Sequence, residues 1–306
     1  MINLSVIIPL HNEEEVLPLL FERVKKSSKN WGEYEVIFVN DGSADSTWKL
    51  LEGEIAKTNT FRAINFSRNF GHQAAMTAGL ETAQGRAIVM MDGDLQDPPE
   101  LIEKMLGLWQ AGNNIVYAVR ENRKESLFMR ICYKLFYRVL RYLSDIKIPL
   151  DSGDFCLMDR MVVDTLNAMP EKNRFIRGLR VWVGFSKVAL PYDRGERVAG
   201  ETKYPLMRLV KFGLAGIMAF STKPLELAVY AGVTIASLSF LGGLVVIVLR
   251  LLTPFNVAGW ASMALIIFFM GGIQLFFLGI IGQYIGLIYN ETKKRPTYII
   301  DQKLGF

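Results

Sequence analysis

The sequence predicts an α/β protein in two parts: a mostly parallel sheet with helices on both faces, then a two-helix transmembrane hairpin. Three observations predict it. Strand-length apolar runs alternate with helix-period segments in the N-terminal third, polar clusters close three of those strands, and two long uncharged apolar stretches lie near the C-terminus. The 306 residues are 51% hydrophobic and 21% charged. That is more apolar than a typical soluble domain, so part of the chain belongs in lipid.

The first strand is the apolar run 4–9, and residues 13–26 follow with helical spacing through Val16, Leu19, Leu20 and Val24. A second strand, 34–39, ends in Asn40-Asp41-Gly42-Ser43, where Ser43 or Asp45 can cap the next helix. Residues 63–66 make a third strand and 73–83 its helix, and a fourth strand, 87–91, runs into Asp92-Gly93-Asp94. Ligands of such sheets gather beyond the carboxyl ends of the strands. His11-Asn12-Glu13, Asp41-Gly42-Ser43 and Asp92-Gly93-Asp94 all fall there. An Asp-Gly pair alone is usually a turn, but acidic clusters at several strand ends point to a site.

Between residues 225 and 249 the only ionisable group is Glu226, and residues 257–289 carry none. Each stretch exceeds the roughly 20 residues that cross a bilayer. Their connection, 253–259, is uncharged, while Lys211, Lys223, Lys293, Lys294 and Arg295 flank the outer ends. The positive-inside rule then places both termini in the cytoplasm, with Arg250 the mild exception. The N-terminus lacks the pattern of a signal peptide, which agrees. Segments 123–143 and 203–220 read as basic amphipathic helices on the membrane surface. Gly271, Gly272, Gly279, Gly282 and Gly286 would let another helix approach closely, from the hairpin itself or from a second copy in a homo-oligomer. The expected organisation is a cytoplasmic catalytic domain at 1–202, juxtamembrane helices at 203–222, spans near 225–250 and 260–289, and a cytoplasmic tail at 291–306.

A net charge of +5 fits an anionic partner: nucleic acid, a phosphorylated substrate or an acidic leaflet. No nucleic-acid recognition motif supports the first. No Gly-x-Gly-x-x-Gly follows the first strand and there is no P-loop, which argues against dinucleotide oxidoreductases and P-loop ATPases. Cys132 and Cys156 lack metal or redox spacing and read as buried thiols. Asp92 and Asp94, on alternate positions, can both face Mg²⁺ or Mn²⁺, with Gln96 adding an amide oxygen or orienting a metal-bound water. Such an ion neutralises charge on a leaving diphosphate.

Taken together, Pro9-x-x-Asn12-Glu13, Val39-Asn-Asp41-Gly-Ser-x-Asp45-x-Thr47, Asp92-Gly-Asp94-Leu-Gln96-Asp97-Pro98 and Gly153-Asp154-Phe155 resemble family 2 glycosyltransferases of the GT-A fold. The resemblance is to polyprenyl-phosphate sugar synthases, relatives of dolichyl-phosphate mannose synthase and bacterial bactoprenol glucosyltransferases, and with the hairpin it covers nearly the whole chain. It implies that Pro9, His11, Glu13 and Asp41 line the nucleotide pocket with Asp92 and Gly93, and that Asp92, Asp94 and Gln96 hold the metal and diphosphate. It further implies that Arg197 and Lys203 reach the donor phosphates from a closing loop, and that Arg120 and Arg130 receive the lipid phosphate. Asp154 resembles the group's catalytic base, with Asp151 the fallback, although a phosphate monoester is already mostly dianionic near neutral pH and hardly needs one.

The implied reaction is an inverting transfer of a hexose, with UDP-glucose the expected nucleotide-sugar donor, to undecaprenyl phosphate at a bacterial inner membrane. Two rivals remain. A processive polysaccharide synthase usually carries Gln-x-x-Arg-Trp, which Arg177-Gly-Leu-Arg180-Val-Trp182 approaches without matching. A non-catalytic nucleotide-sugar-binding protein would be marked by loss of a metal carboxylate, yet both Asp92 and Asp94 are present.

Overall fold

The computed structural model describes residues 2–120, 152–172, 174–193, 221–252 and 259–306. The front part alternates β1 (Leu4–Leu10), α1 (Leu17–Ser27), β2 (Tyr34–Asn40), α2 (Thr47–Ile55), β3 (Phe61–Phe66), α3 (His72–Thr82), β4 (Ala87–Met90), α4 (Leu101–Gln110) and β5 (Ile115–Arg120). After it come β6 (Ser152–Asp159), α5 (Arg160–Asn167), α6 (Ile176–Trp182), β7 (Lys187–Tyr192), the long helices α7 (Lys223–Leu252) and α8 (Trp260–Thr292), and β8 (Ile300–Leu304).

All eight strands form one sheet in the order β7-β5-β6-β4-β1-β2-β3-β8. The centre, β4-β1-β2-β3, is parallel, as the strand and helix alternation predicts. The sheet as a whole is mixed, because β6 runs against both β4 and β5, and β8 runs against β3. Every residue of β1 is buried, the mark of a strand covered on both faces. Its side chains alternate accordingly. Leu4, Val6 and Ile8 join a core with Leu17, Leu20, Phe21 and Val24 of α1 and Ile102 and Met105 of α4. Ile7 joins Ala74, Ala75 and Ala78 of α3 and Val162, Val163 and Leu166 of α5 on the other face.

The expected helix at 13–26 begins four residues late, at Leu17, but its expected face is kept at Val16, Leu20 and Val24, which are buried. Leu17 and Phe21 join that buried face, whereas Leu19 is 45% exposed. Neither Ser43 nor Asp45 sits at the cap of α2. Ser46 does, without a side-chain cap bond, and Asp45 supports the helix from one residue further out by accepting the backbone N–H of Thr47 at 3.0 Å.

α7 and α8 contain apolar stretches Lys223–Val245 and Ile266–Thr292, long enough to cross a membrane and unburied by protein. The two helices touch, and rings such as Phe240 and Phe268 stand outward from them. Apolar surface on this scale is stable only when lipid or protein covers it. The segment after α8 is no free tail. It returns to the sheet, where β8 pairs with β3, Ser67 donates its backbone N–H to Ile299 at 3.1 Å, and Tyr298 stacks on Phe66 with centroids 5.0 Å apart. The surface helices expected at 123–143 and 203–220 lie outside the described residues.

Candidate active site

The parallel strands β1, β2 and β4 all deliver their carboxyl ends to one edge of the sheet. Because β6 is antiparallel to β4, with Met90 opposite Cys156, its amino end with Gly153 and Asp154 arrives at that same edge. The topology thus brings Asp92 and Asp154 together from distant parts of the sequence.

Beyond β4 the chain turns at residues 93–95, with Leu95 at φ 59°, and burial alternates: Met91, Gly93, Leu95 and Asp97 are buried while Asp92, Asp94 and Gln96 are half-buried. Asp92, Asp94 and Gln96 are thus each partly accessible at this turn. Gly93 is required by packing, since a Cβ there would lie 2.6 Å from Leu10 Cδ2 and 3.2 Å from the Pro9 carbonyl oxygen. Pro9 is thus a buried floor under the acidic turn. Asp94 Oδ1 accepts the Gln96 backbone N–H at 3.1 Å, and buried Asp97 accepts the Tyr192 hydroxyl at 2.8 Å, which pins the turn to β7.

Among the described residues no group of three or more His, Cys, Asp and Glu is placed to hold a metal. Asp92 and Asp94 provide two half-buried carboxylates two residues apart. That donor set fits a Mg²⁺-type ion, which prefers one or two carboxylates and fills its shell with water and substrate phosphates. A closed Zn²⁺-type cage would need more protein ligands.

His72 opens α3 and places Nε2 3.0 Å from Asp92 Oδ1. The carboxylate can only accept, so Nε2 carries the proton. Burial would lower the His72 pKa, but the hydrogen bond to Asp92 and the charges of Asp92 and Asp154 raise it overall. Asp154 in turn is gripped by Arg177, with Nη2 3.0 Å from Oδ2 and Nε 3.3 Å from Oδ1. Burial alone would raise the Asp154 pKa, yet Arg177, His72 and Arg180 hold it below the ordinary carboxylate range. Arg180 is itself buried and donates to the Gly153 carbonyl at 3.3 Å.

At the β1 and β2 ends, His11 Nδ1 donates to the Asp41 carbonyl at 2.9 Å, and its Nε2 accepts from the Asn69 amide at 3.1 Å. These contacts fix its tautomer and ring plane. Glu13 is half-buried and donates its backbone N–H to Thr47 Oγ1 at 3.0 Å. Asp41 is 3% exposed, and its carboxylate accepts the backbone N–H groups of Phe70 at 2.7 Å and Gly71 at 2.9 Å. Gly42 has φ 60°, and a Cβ there would lie 2.3 Å from the Arg68 carbonyl carbon, so only glycine lets these two segments meet.

The structure thus gathers Pro9, His11, Glu13, Asp41, Asp92, Gly93, Asp94, Gln96 and Asp154 along one edge. Arg120 ends β5 at that edge. Asp151, Arg130, Arg197 and Lys203 lie outside the described residues, as does Cys132, while Cys156 is buried in β6 as a free thiol. Sequence reasoning passed over His72, Asn69 and Tyr192 and gave Arg177 no role beyond its place in the string 177–182. The end of β3 was the one strand end it did not search, and searching it would have reached Asn69 and His72.

The sequence profile described as Glycosyl transferase family 2 matches residues 5–166. The chain is 47% identical to the uncharacterized glycosyltransferase YkcC of Bacillus subtilis over 99% of its own length and 95% of that protein. It is 39% identical to a prophage bactoprenol glucosyl transferase homolog of Escherichia coli, over 97% of this chain and 98% of the relative. With the bactoprenol glucosyl transferase of Shigella phage SfX it shares 38% identity over 98% of this chain and 99% of that one.

Proposed function

This chain belongs to glycosyl transferase family 2, and from that premise we propose that it transfers glucose from UDP-glucose to undecaprenyl phosphate, with inversion at the anomeric carbon. The observation that carries the proposal is the full-length similarity, membrane helices included, to proteins named bactoprenol glucosyl transferases. The half-buried carboxylates at the end of β4 supply matching chemistry. The product would be a lipid-phosphate-sugar donor for later cell-surface glycosylation.

Asp92 and Asp94, with Gln96 beside them, would hold Mg²⁺ or Mn²⁺, which supplies Lewis-acid neutralisation of the diphosphate leaving group. Pro9, His11, Glu13 and Asp41 would border the uridine side. His72 donates a proton to Asp92 Oδ1 and leaves the second oxygen of that carboxylate for the ligand. Asp154, held ionised by Arg177, is a weaker proton acceptor than a free carboxylate. A polyprenyl phosphate is already largely dianionic at neutral pH. Asp154 therefore serves to orient the acceptor or a sugar hydroxyl, and Asp151 stands in reserve for the same role. Arg120 and Arg130 would take the lipid phosphate, while Arg197 and Lys203 would close on the donor phosphates, as planar and flexible cations do. Rate enhancement then comes from alignment for an in-line displacement and from fixed charge.

Both termini would face the cytoplasm of a bacterial inner membrane, an orientation supported by Lys223, Lys293, Lys294 and Arg295 at the outer ends of the hairpin. The test is incubation of the detergent-purified chain with undecaprenyl phosphate, Mg²⁺ or Mn²⁺ and labelled nucleotide-sugars, following label into the organic phase. Labelled lipid formed from UDP-glucose and lost with EDTA is the expected result. Label from a different sugar alone corrects the donor, and no labelled lipid from any donor would falsify the transfer reading.

A further inference from the structure

Where α8 leaves its apolar stretch at Thr292, the chain turns against the catalytic domain and encloses a cleft of about 370 Å³. Lys172, Arg174, Lys293 and Arg295 line it together with the amides of Gln73 and Asn290, and no carboxylate does. The two nearby acids lie behind the walls and are each engaged there. Glu291 accepts the Lys172 backbone N–H at 3.1 Å, and Glu81 accepts from Arg174 at 3.5 Å and from the Tyr298 hydroxyl. Lys172 Nζ donates to the Arg295 carbonyl at 2.7 Å, which ties the domain to the helix end and holds the cleft walls together. Lys293 Nζ sits 4.0 Å from the centroid of Tyr289, and among the described residues no carboxylate pairs with Lys293 or Arg295.

Arg174 is paired with Glu81, but Lys172, Lys293 and Arg295 bring three further cations to a cleft without a carboxylate on its walls, and these repel one another unless an anion joins them. The depth of the site decides which anion. A tyrosine at the end of an apolar span, followed at once by basic residues, marks the headgroup level of a bilayer, where lipid phosphates are the prevailing anions. We propose that this cleft binds the phosphate of an anionic membrane phospholipid. The lipid would fix the catalytic domain against the end of α8, and the site is independent of the transfer reaction proposed above.

Native mass spectrometry of the full chain, released from vesicles of mixed phosphatidylglycerol and phosphatidylcholine, tests this. The wild type is expected to retain phosphatidylglycerol in preference to phosphatidylcholine. Lys293→Gln and Arg295→Gln should each weaken that retention about twentyfold, the loss of one charge-assisted hydrogen bond to the phosphate. Lys294→Gln removes the same charge from a residue that does not line the cleft, and it should cost no more than the roughly fivefold of one diffuse juxtamembrane charge. Equal losses in all three variants would mean diffuse attraction and overturn the site. Equal retention of the two lipids by the wild type overturns it without any variant, so a misfolded variant cannot rescue it. Inorganic phosphate that displaces the lipid at comparable concentration overturns the lipid as the occupant.

Discussion

At the end of β2 the carboxylate of Asp41 turns back into the protein and accepts two backbone N–H groups from the start of α3. At the end of β4 Asp92 and Asp94 turn outward, half-buried, with glycine between them pressed onto Leu10 and Pro9. In sequence the two are the same signal, an Asp-Gly after an apolar strand. What separates them is whether a neighbouring loop supplies amides. The loop after β3 passes over Asp41 and satisfies it, whereas the turn after β4 folds on itself and leaves its side chains facing out. An acidic strand end becomes a brace or a ligand site according to what the next connection offers.

The sharpest way to break this comparison is to remove one acid from each end. Asp94→Ala is expected to lower transfer about 10³-fold, from loss of charge stabilisation at the leaving group. Its unfolding temperature should move far less than its activity, because the side chain is half-buried at the edge of the sheet. A labelled-lipid assay and a thermal scan on the same preparation check both halves. Asp41→Ala should do the opposite in kind, leaving two amides without their acceptor at a cost of about 3 kcal/mol. A large fall in unfolding temperature is the expected readout, and an unchanged one would dissolve the distinction.

A smaller effect concerns Asp154, which reaches the same edge from β6. Its folded pKa lies below the unfolded value of about 3.9. It therefore stabilises the fold fully above that value, and the contribution is lost as pH falls through the lower, folded pKa. Arg177→Met removes the main cause of the depression, so the acid limb of stability should move to higher pH. Unfolding temperature measured against pH checks the shift. An unmoved limb would mean that Arg177 is only a neighbour.

The central strands were legible because β1 to β4 are short apolar runs, each closed by polar residues. The hairpin was legible from its missing charges. What stayed hidden depends on partners remote in sequence. β8 is Ile-Asp-Gln-Lys-Leu, too polar to announce a strand, and it exists because β3 offers an open edge. On α1 the spacing marks Val16, Leu20 and Val24, which are buried, but also Leu19, which lies off that face. Among the site residues, Asp92 and Asp94 carried a local signature. Arg177 and His72 did not, for each acquires its meaning only from the carboxylate it meets after folding.

The return of β8 to the edge of β3 also orders events in time. During synthesis the central strands, both apolar helices and then β8 emerge in that sequence. The sheet therefore cannot close until both apolar helices have been made. Until β8 arrives, the edge of β3 stays open to other strands.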